Sequence, residues 1–125
     1  MELVDLSGDL RYRRPRQLSG GQCQRVGIAR ALAMQPEFLI ADEVTSALDV
    51  TIQAQILALL ERLRDKINLT ILYISHDLAV VQMFCQRVAV FRGGRLIEIG
   101  PVDEVLTRPK ERYTQILVSS APRLH

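Results

Sequence analysis

The sequence predicts an α/β fold built on parallel strands, and three observations carry that prediction. Phe38-Leu39-Ile40-Ala41 and Leu69–Ile74 are continuous apolar runs, the pattern of buried parallel strands. Between them, from Asp49 to about Lys66, apolar residues recur at helical spacing: Ile52, Ile56, Leu59, Leu60 and Leu63. Each run ends abruptly, the first in Asp42-Glu43 and the second in Ser75-His76-Asp77. Strand, helix, strand in this order implies a parallel pair joined by a right-handed crossover.

Size and composition agree with one small domain. The chain has 125 residues, 48% hydrophobic and 24% charged, an ordinary globular mix that excludes wholesale disorder. Its 16 basic and 14 acidic side chains leave a formal charge of +2, which excludes a polyacidic tail and a strongly basic nucleic-acid coat. Aromatics make up 5% and tryptophan is absent, so the core must come from Leu, Ile, Val and Ala. No apolar run reaches the roughly 18 residues of a membrane span. The start, Met1-Glu2-Leu3-Val4-Asp5, has no basic region followed by a long apolar stretch, so a secretory signal is not expected there. Cys23 and Cys85 are far apart and are expected as reduced thiols, and His76 and His125 are too few for a His-based metal site.

The remaining elements follow in order. Residues 1–17 are mixed, with Leu3, Val4 and Leu6 followed by Arg11-Tyr12-Arg13-Arg14-Pro15-Arg16, which reads as a solvated loop. Ser19-Gly20-Gly21-Gln22 has the form of a capping box, with Ser19 accepting from a backbone amide and Gln22 returning the bond. A helix should run from there to about Met34 and stop at Pro36, with Val26, Ala29 and Ala33 on one face and Ile28 and Leu32 beside it. Asp49 is the expected N-cap of the second helix. Asp77 to about Gln86 reads as a short helix. Val88–Phe91 and Leu96–Ile99, joined through Arg92-Gly93-Gly94-Arg95, read as a hairpin broken by Gly100-Pro101. A short helix should follow from Pro101 to Thr107, with Asp103 and Glu104 in its favourable first turn. Residues 108–125 form a mixed tail with a turn of helix over Tyr113–Val118.

A candidate site follows from parallelism alone. Parallel neighbours place their C-terminal ends on one sheet edge, where open α/β sheets bind ligands. Asp42, Glu43 and His76 are therefore expected near one rim. Gly20 and Gly21 would let backbone amides approach a phosphate at a helix N-terminus, which carries partial positive charge.

At this point the residues resemble a known family. Leu18-Ser19-Gly20-Gly21-Gln22 followed by Gln24-Arg25 is similar to the signature motif of ATP-binding cassette (ABC) ATPases. Phe38–Glu43 resembles their Walker B strand with its catalytic glutamate, Ser46-Ala47-Leu48-Asp49 resembles the D-loop, and His76 stands where the switch histidine falls. The order and spacing of these motifs make the resemblance specific over nearly the whole chain. It implies a P-loop NTPase-like half-domain over residues 1–107, with a C-terminal hairpin and helices. Residues 108–125 resemble the C-terminal extension of dipeptide and oligopeptide importer ATPases.

The resemblance also implies roles. Ser19, Gly20, Gly21 and Gln22 would contact the γ-phosphate of ATP held by an opposite subunit. Asp42 would hold Mg²⁺, Glu43 would act as general base, His76 would orient the γ-phosphate and water, and Asp49 would reach across a dimer. The implied partners are a second nucleotide-binding subunit and membrane permease subunits, at the inner face of the cytoplasmic membrane, with no nucleic acid. The stretch Asp49–Ile56, Ser75–Val81 and the tail from Arg108-Pro109 to Ala121-Pro122 point towards peptide or related small-solute import.

Two departures stand out. Val44 occupies the place where the family usually has proline, which leaves the turn after Glu43 less pre-organised. The only lysines are Lys66 and Lys110, neither preceded by glycine, so the sequence has no Gly-x-x-x-x-Gly-Lys-[Ser/Thr] loop. The chain is thus expected to be the C-terminal part of a nucleotide-binding domain, inactive alone and completed by an N-terminal half bearing that loop. Without that half, the Phe38–Ala41 strand should expose an apolar edge or face. The alternative is a truncated or split half-domain that acts only as an interaction piece, without turnover.

Overall fold

A computed structural model describes Val4, residues 19–45 and residues 48–121. The Arg11–Arg16 stretch, Ser46-Ala47 of the D-loop-like segment and Pro122 lie outside the described residues. The chain divides into two compact units, Met1–Ile74 and Ser75–His125. Among the described residues, no helix is long and apolar enough to cross a membrane.

In the first unit the parallel pair is present. Strands β1 (Phe38–Asp42) and β2 (Thr70–Ile74) run parallel, with Phe38 opposite Thr70 and Asp42 opposite Ile74. Helix α1 (Gly20–Leu32) precedes them and α2 (Val50–Ile67) lies between them in sequence. α1 stops short of Pro36. Its buried positions are Gly21 and Ile28; of the expected face, Val26 and Ala29 are half-buried and Ala33 is exposed. Spacing selects a helix face only when one stripe is clearly more apolar, and this helix, with three glycines and two alanines among its 13 residues, lacks such contrast. α2 buries Ile56, Leu59, Leu60 and Leu63, as its periodicity requires, and also Leu57, while Ile52 of the expected stripe is half-buried. It ends at Asn68, which takes the left-handed conformation at φ 55° that Asn tolerates.

The strands are not buried on both faces as their continuous apolar runs suggested. Alternate residues share a face. Phe38 (52% exposed) and Ile40 (59%) on β1, with Leu72 (47%) and Ile74 (43%) on β2, form an open apolar face, while Ala41 on the opposite face is buried. Nothing among the described residues covers that side, which is the exposure expected of this strand.

In the second unit, α3 (Leu78–Phe84) leads into β3 (Arg87–Arg92) and β4 (Arg95–Pro101), followed by α4 (Val102–Thr107) and α5 (Arg112–Ser119). Gly93 and Gly94 form the two-residue turn of the hairpin, both at positive φ (57° and 77°), where a side chain would be strained. Val81, Val90, Val102, Val105 and Leu106 make the core, with Ile97, Tyr113, Leu117 and Val118 packed against it.

β4 carries an extra residue: Phe91 pairs with Leu96 but Val90 pairs with Glu98, so Ile97 and Glu98 together oppose Val90. Both then serve the covered side of the hairpin. Ile97 packs on the core, and the Glu98 carboxylate accepts from the backbone N–H of Lys110 at 3.0 Å and of Glu111 at 3.1 Å. These bonds and the positive charge of Lys110 hold the Glu98 carboxyl below its ordinary value, the Lys110 amide contributing most. The Arg92 guanidinium lies 4.9 Å from the centre of the Tyr113 ring. The expected single turn of helix in the tail is thus the eight-residue α5, tied to the hairpin.

Candidate functional site

The site begins at the start of α1. The capping box forms in both directions: Gln22 N donates to Ser19 Oγ at 3.1 Å, and Ser19 N donates to Gln22 Oε1 at 3.0 Å. A helix leaves its first four amides without intrahelical acceptors. Ser19 and Gln22 satisfy each other, while Gly20 and Gly21 have no acceptor among the described residues. The capped helix start, exposed at Ser19 and Gly20, thereby leaves two amide donors unused within the helix.

The glycines also have a packing reason that the sequence did not disclose. A Cβ on Gly21 would stand 2.7 Å from Ile52 Cγ2, and one on Gly20 would stand 3.1 Å from Leu48 Cδ2. Close approach between the starts of α1 and α2 therefore requires glycine at 21. It also sets Ser19–Gln22 beside the turn that carries Asp49. Asp49 caps α2, its carboxylate accepting from Ile52 N at 2.9 Å, and remains exposed.

The acid pair sits at the C-terminal end of β1. Asp42 is exposed and lies in register with Ile74 on the open face of the sheet. At Glu43 the strand alternation breaks: its φ is +51°, an uncommon value for glutamate. The turn is anchored to β2 twice. Glu43 N donates to the Ile74 carbonyl at 2.8 Å, and Thr45 Oγ1 and Tyr73 OH lie 2.6 Å apart in a hydrogen bond. Thr45 is only 4% exposed. Thr45 and Tyr73 were not singled out from sequence. The available signal was a lone hydroxyl-bearing aromatic in an otherwise aliphatic strand.

His76 follows β2 by two residues and belongs to the second unit. It is exposed, between two residues that fix the local backbone. Ser75 Oγ accepts from Asp77 N at 3.0 Å, and the Asp77 carboxylate caps α3 by accepting from Ala79 N at 3.1 Å and Val80 N at 3.3 Å.

Among the described residues no cluster of three or more His, Cys, Asp or Glu could cage a metal ion. An exposed strand-end carboxylate such as Asp42 nevertheless fits Mg²⁺, which is usually held by one or two carboxylates together with substrate phosphates.

Known proteins resemble this chain in sequence and in fold. The ABC transporter family model matches residues 1–46. The oligopeptide transport ATP-binding protein OppF of Streptococcus mutans is 49% identical over 122 residues, which span 98% of this chain and 40% of that protein. A Brucella ovis protein, provisionally described as a peptide import ATP-binding protein, is also 49% identical over 122 residues, with 98% and 38% covered. Among solved structures, cbiO1 of Clostridium perfringens, part of the ABC transporter complex cbiONQ, superposes with a TM-score of 0.76 at 34% identity, over 86% of this chain and 42% of that one. The ATP-binding cassette MJ0796, in a dimeric post-hydrolysis state with ADP and Pi, gives 0.69 at 35% identity, over 81% and 43%. The chain thus spans about two-fifths of the length of these relatives.

Proposed function

Because this chain belongs to the ABC transporter ATP-binding family, we propose that it forms the C-terminal part of the nucleotide-binding subunit of an importer for peptides or related small solutes. The observation that carries this reading is the pairing of two chemistries in one small unit. A capped α1 keeps the Gly20 and Gly21 amides for an anion, and a parallel strand ends in an exposed acid pair.

In this reading the roles divide by chemistry. The Gly20 and Gly21 amides, with Ser19 and Gln22, bind the γ-phosphate of ATP seated on a second subunit, where helix-start donors favour negative charge. Asp42 holds Mg²⁺, which neutralises phosphate charge when bound. Glu43 takes a proton from the attacking water as its oxygen bonds to the γ-phosphorus. The bond between that phosphorus and the β,γ-bridging oxygen breaks, and ADP leaves with that oxygen. His76 hydrogen-bonds the γ-phosphate and keeps the water in line. Asp49 caps α2 and reaches the partner subunit. The phosphate-cradling loop comes from an N-terminal half, permease subunits receive the motion, and the assembly works at the inner face of the cytoplasmic membrane. The names of the peptide-import relatives and the importer-like tail support this cargo class.

The test is phosphate release from ATP and Mg²⁺ by the chain alone and by the chain mixed with a P-loop-bearing N-terminal half. Turnover is expected only in the mixture and should fall at least about a hundredfold in Glu43→Gln, the lower end of the range for losing a general base. A mixture that assembles but never turns over would favour the interaction-piece alternative.

A further inference from the structure

The turn at Glu43 has a feature that the proposed hydrolysis does not itself explain. Glu43 holds a φ of +51°. Such a left-handed backbone is unfavourable for residues other than glycine, asparagine or aspartate and persists only where surroundings hold it. Val44 follows and does not fix φ as a proline would.

What does hold the turn lies at the end of β2. Tyr73 and Ile74 are consecutive, and each grips one side of Glu43. Ile74 accepts the Glu43 amide at 2.8 Å, and the Tyr73 hydroxyl meets Thr45 Oγ1 at 2.6 Å. Tyr73 lies on the same covered face as Ala41 and is half-buried, and Thr45 is buried, so their hydroxyl pair is partly shielded from competing water. The pair spans 28 residues of sequence and fastens the segment after β1 beyond the last ladder partner, Asp42 opposite Ile74.

We propose that Tyr73 and Thr45 are positioning residues whose hydroxyl pair locks the left-handed turn at Glu43 and thereby sets where the Glu43 carboxylate stands. The structural part of this proposal stands by itself; its catalytic consequence rests on the ATPase reading above.

Hydrogen exchange of the full chain tests the first part. Tyr73→Phe should accelerate exchange of the amides of residues 43–45 about tenfold, as expected for breaking one partly buried hydroxyl pair. The amides of α2 should keep their wild-type rates. Thr45→Val should reproduce this pattern, and Thr45→Ser, which keeps the hydroxyl, should restore wild-type rates. Glu43→Gly placed on Tyr73→Phe should also recover protection, because glycine holds the turn without a lock. Unchanged exchange at 43–45, or equal acceleration throughout α2, overturns the proposal.

Turnover in the mixture with the N-terminal half tests the second part. Tyr73→Phe should lower kcat about tenfold with KM for ATP unchanged, while Thr45→Ser should match wild type. A rise in KM with kcat intact overturns the positioning role. If the exchange pattern appears but the wild-type mixture never releases phosphate, the ATPase reading fails and the lock stands.

Discussion

Replacing Gly21 with alanine separates two explanations for the double glycine, and its cost can be worked from the packing. The added Cβ would meet Ile52 Cγ2 at 2.7 Å, whereas carbon atoms prefer about 3.5–4.0 Å. The starts of α1 and α2 would have to part by about 0.8 Å or more. Overpacking of this kind costs about 1–3 kcal/mol. Alanine recovers part of this, because glycine inside a helix is worse by about 0.5–1 kcal/mol. The net expectation is a loss of up to about 2.5 kcal/mol. Gly27, in the same helix, is the control: a Cβ there meets nothing within 4 Å, so Gly27→Ala should gain about 0.5–1 kcal/mol. The two alanines should therefore differ in sign. Urea unfolding followed by circular dichroism reads both, and Ile52→Ala, which deletes the offending methyl, should relieve Gly21→Ala in a double-mutant cycle. If Gly21→Ala and Gly27→Ala prove equally stabilising, the glycine at 21 is not there for helix packing and the close α1–α2 approach is wrong.

Three further outcomes are expected. Asp49→Ala should cost about 1 kcal/mol in thermal unfolding through loss of the α2 cap, and Asp49→Asn should recover most of it. Glu98 has a carboxyl held below its ordinary value of 4.5 by the Lys110 and Glu111 amides. Its contribution to docking α5 is therefore complete above that pH and is lost as pH falls through the lowered folded value. NMR shifts of residues 110–119 should report this release, and Glu98→Gln should remove its pH dependence. Ile40→Lys on the open sheet face should reduce self-association in sedimentation measurements while leaving the unfolding midpoint nearly unchanged, since that residue is 59% exposed.

Much of the architecture was legible because periodicity and caps are local. Asp49, Asp77 and the Ser19–Gln22 box each announced a helix start, and Gly93-Gly94 announced the hairpin turn. The open face of the sheet was less legible. A run such as Phe38–Ala41 reads the same whether one face or two are covered, and only its missing neighbour hinted at the difference. The left-handed turn at Glu43 and its fastening by Tyr73 were not legible, because the partners are 28 residues apart and the strain is a property of tertiary structure. The extent of α5 was underestimated for a similar reason: the carboxylate at its start, Glu98, belongs to a strand more than ten residues upstream.

The irregularity in β4 makes that strand tolerant of exchange but not of shortening. Substituting Ile97 alters how the interior is filled, and substituting Glu98 alters how the last helix is fastened, each without disturbing the other. Deleting a single residue between Leu96 and Ile99 would restore strict alternation. One of the two side chains would then swing outward, so an anchor or a filler must be forfeited. The length of β4 at this point therefore matters more to the hairpin than the identity of either side chain.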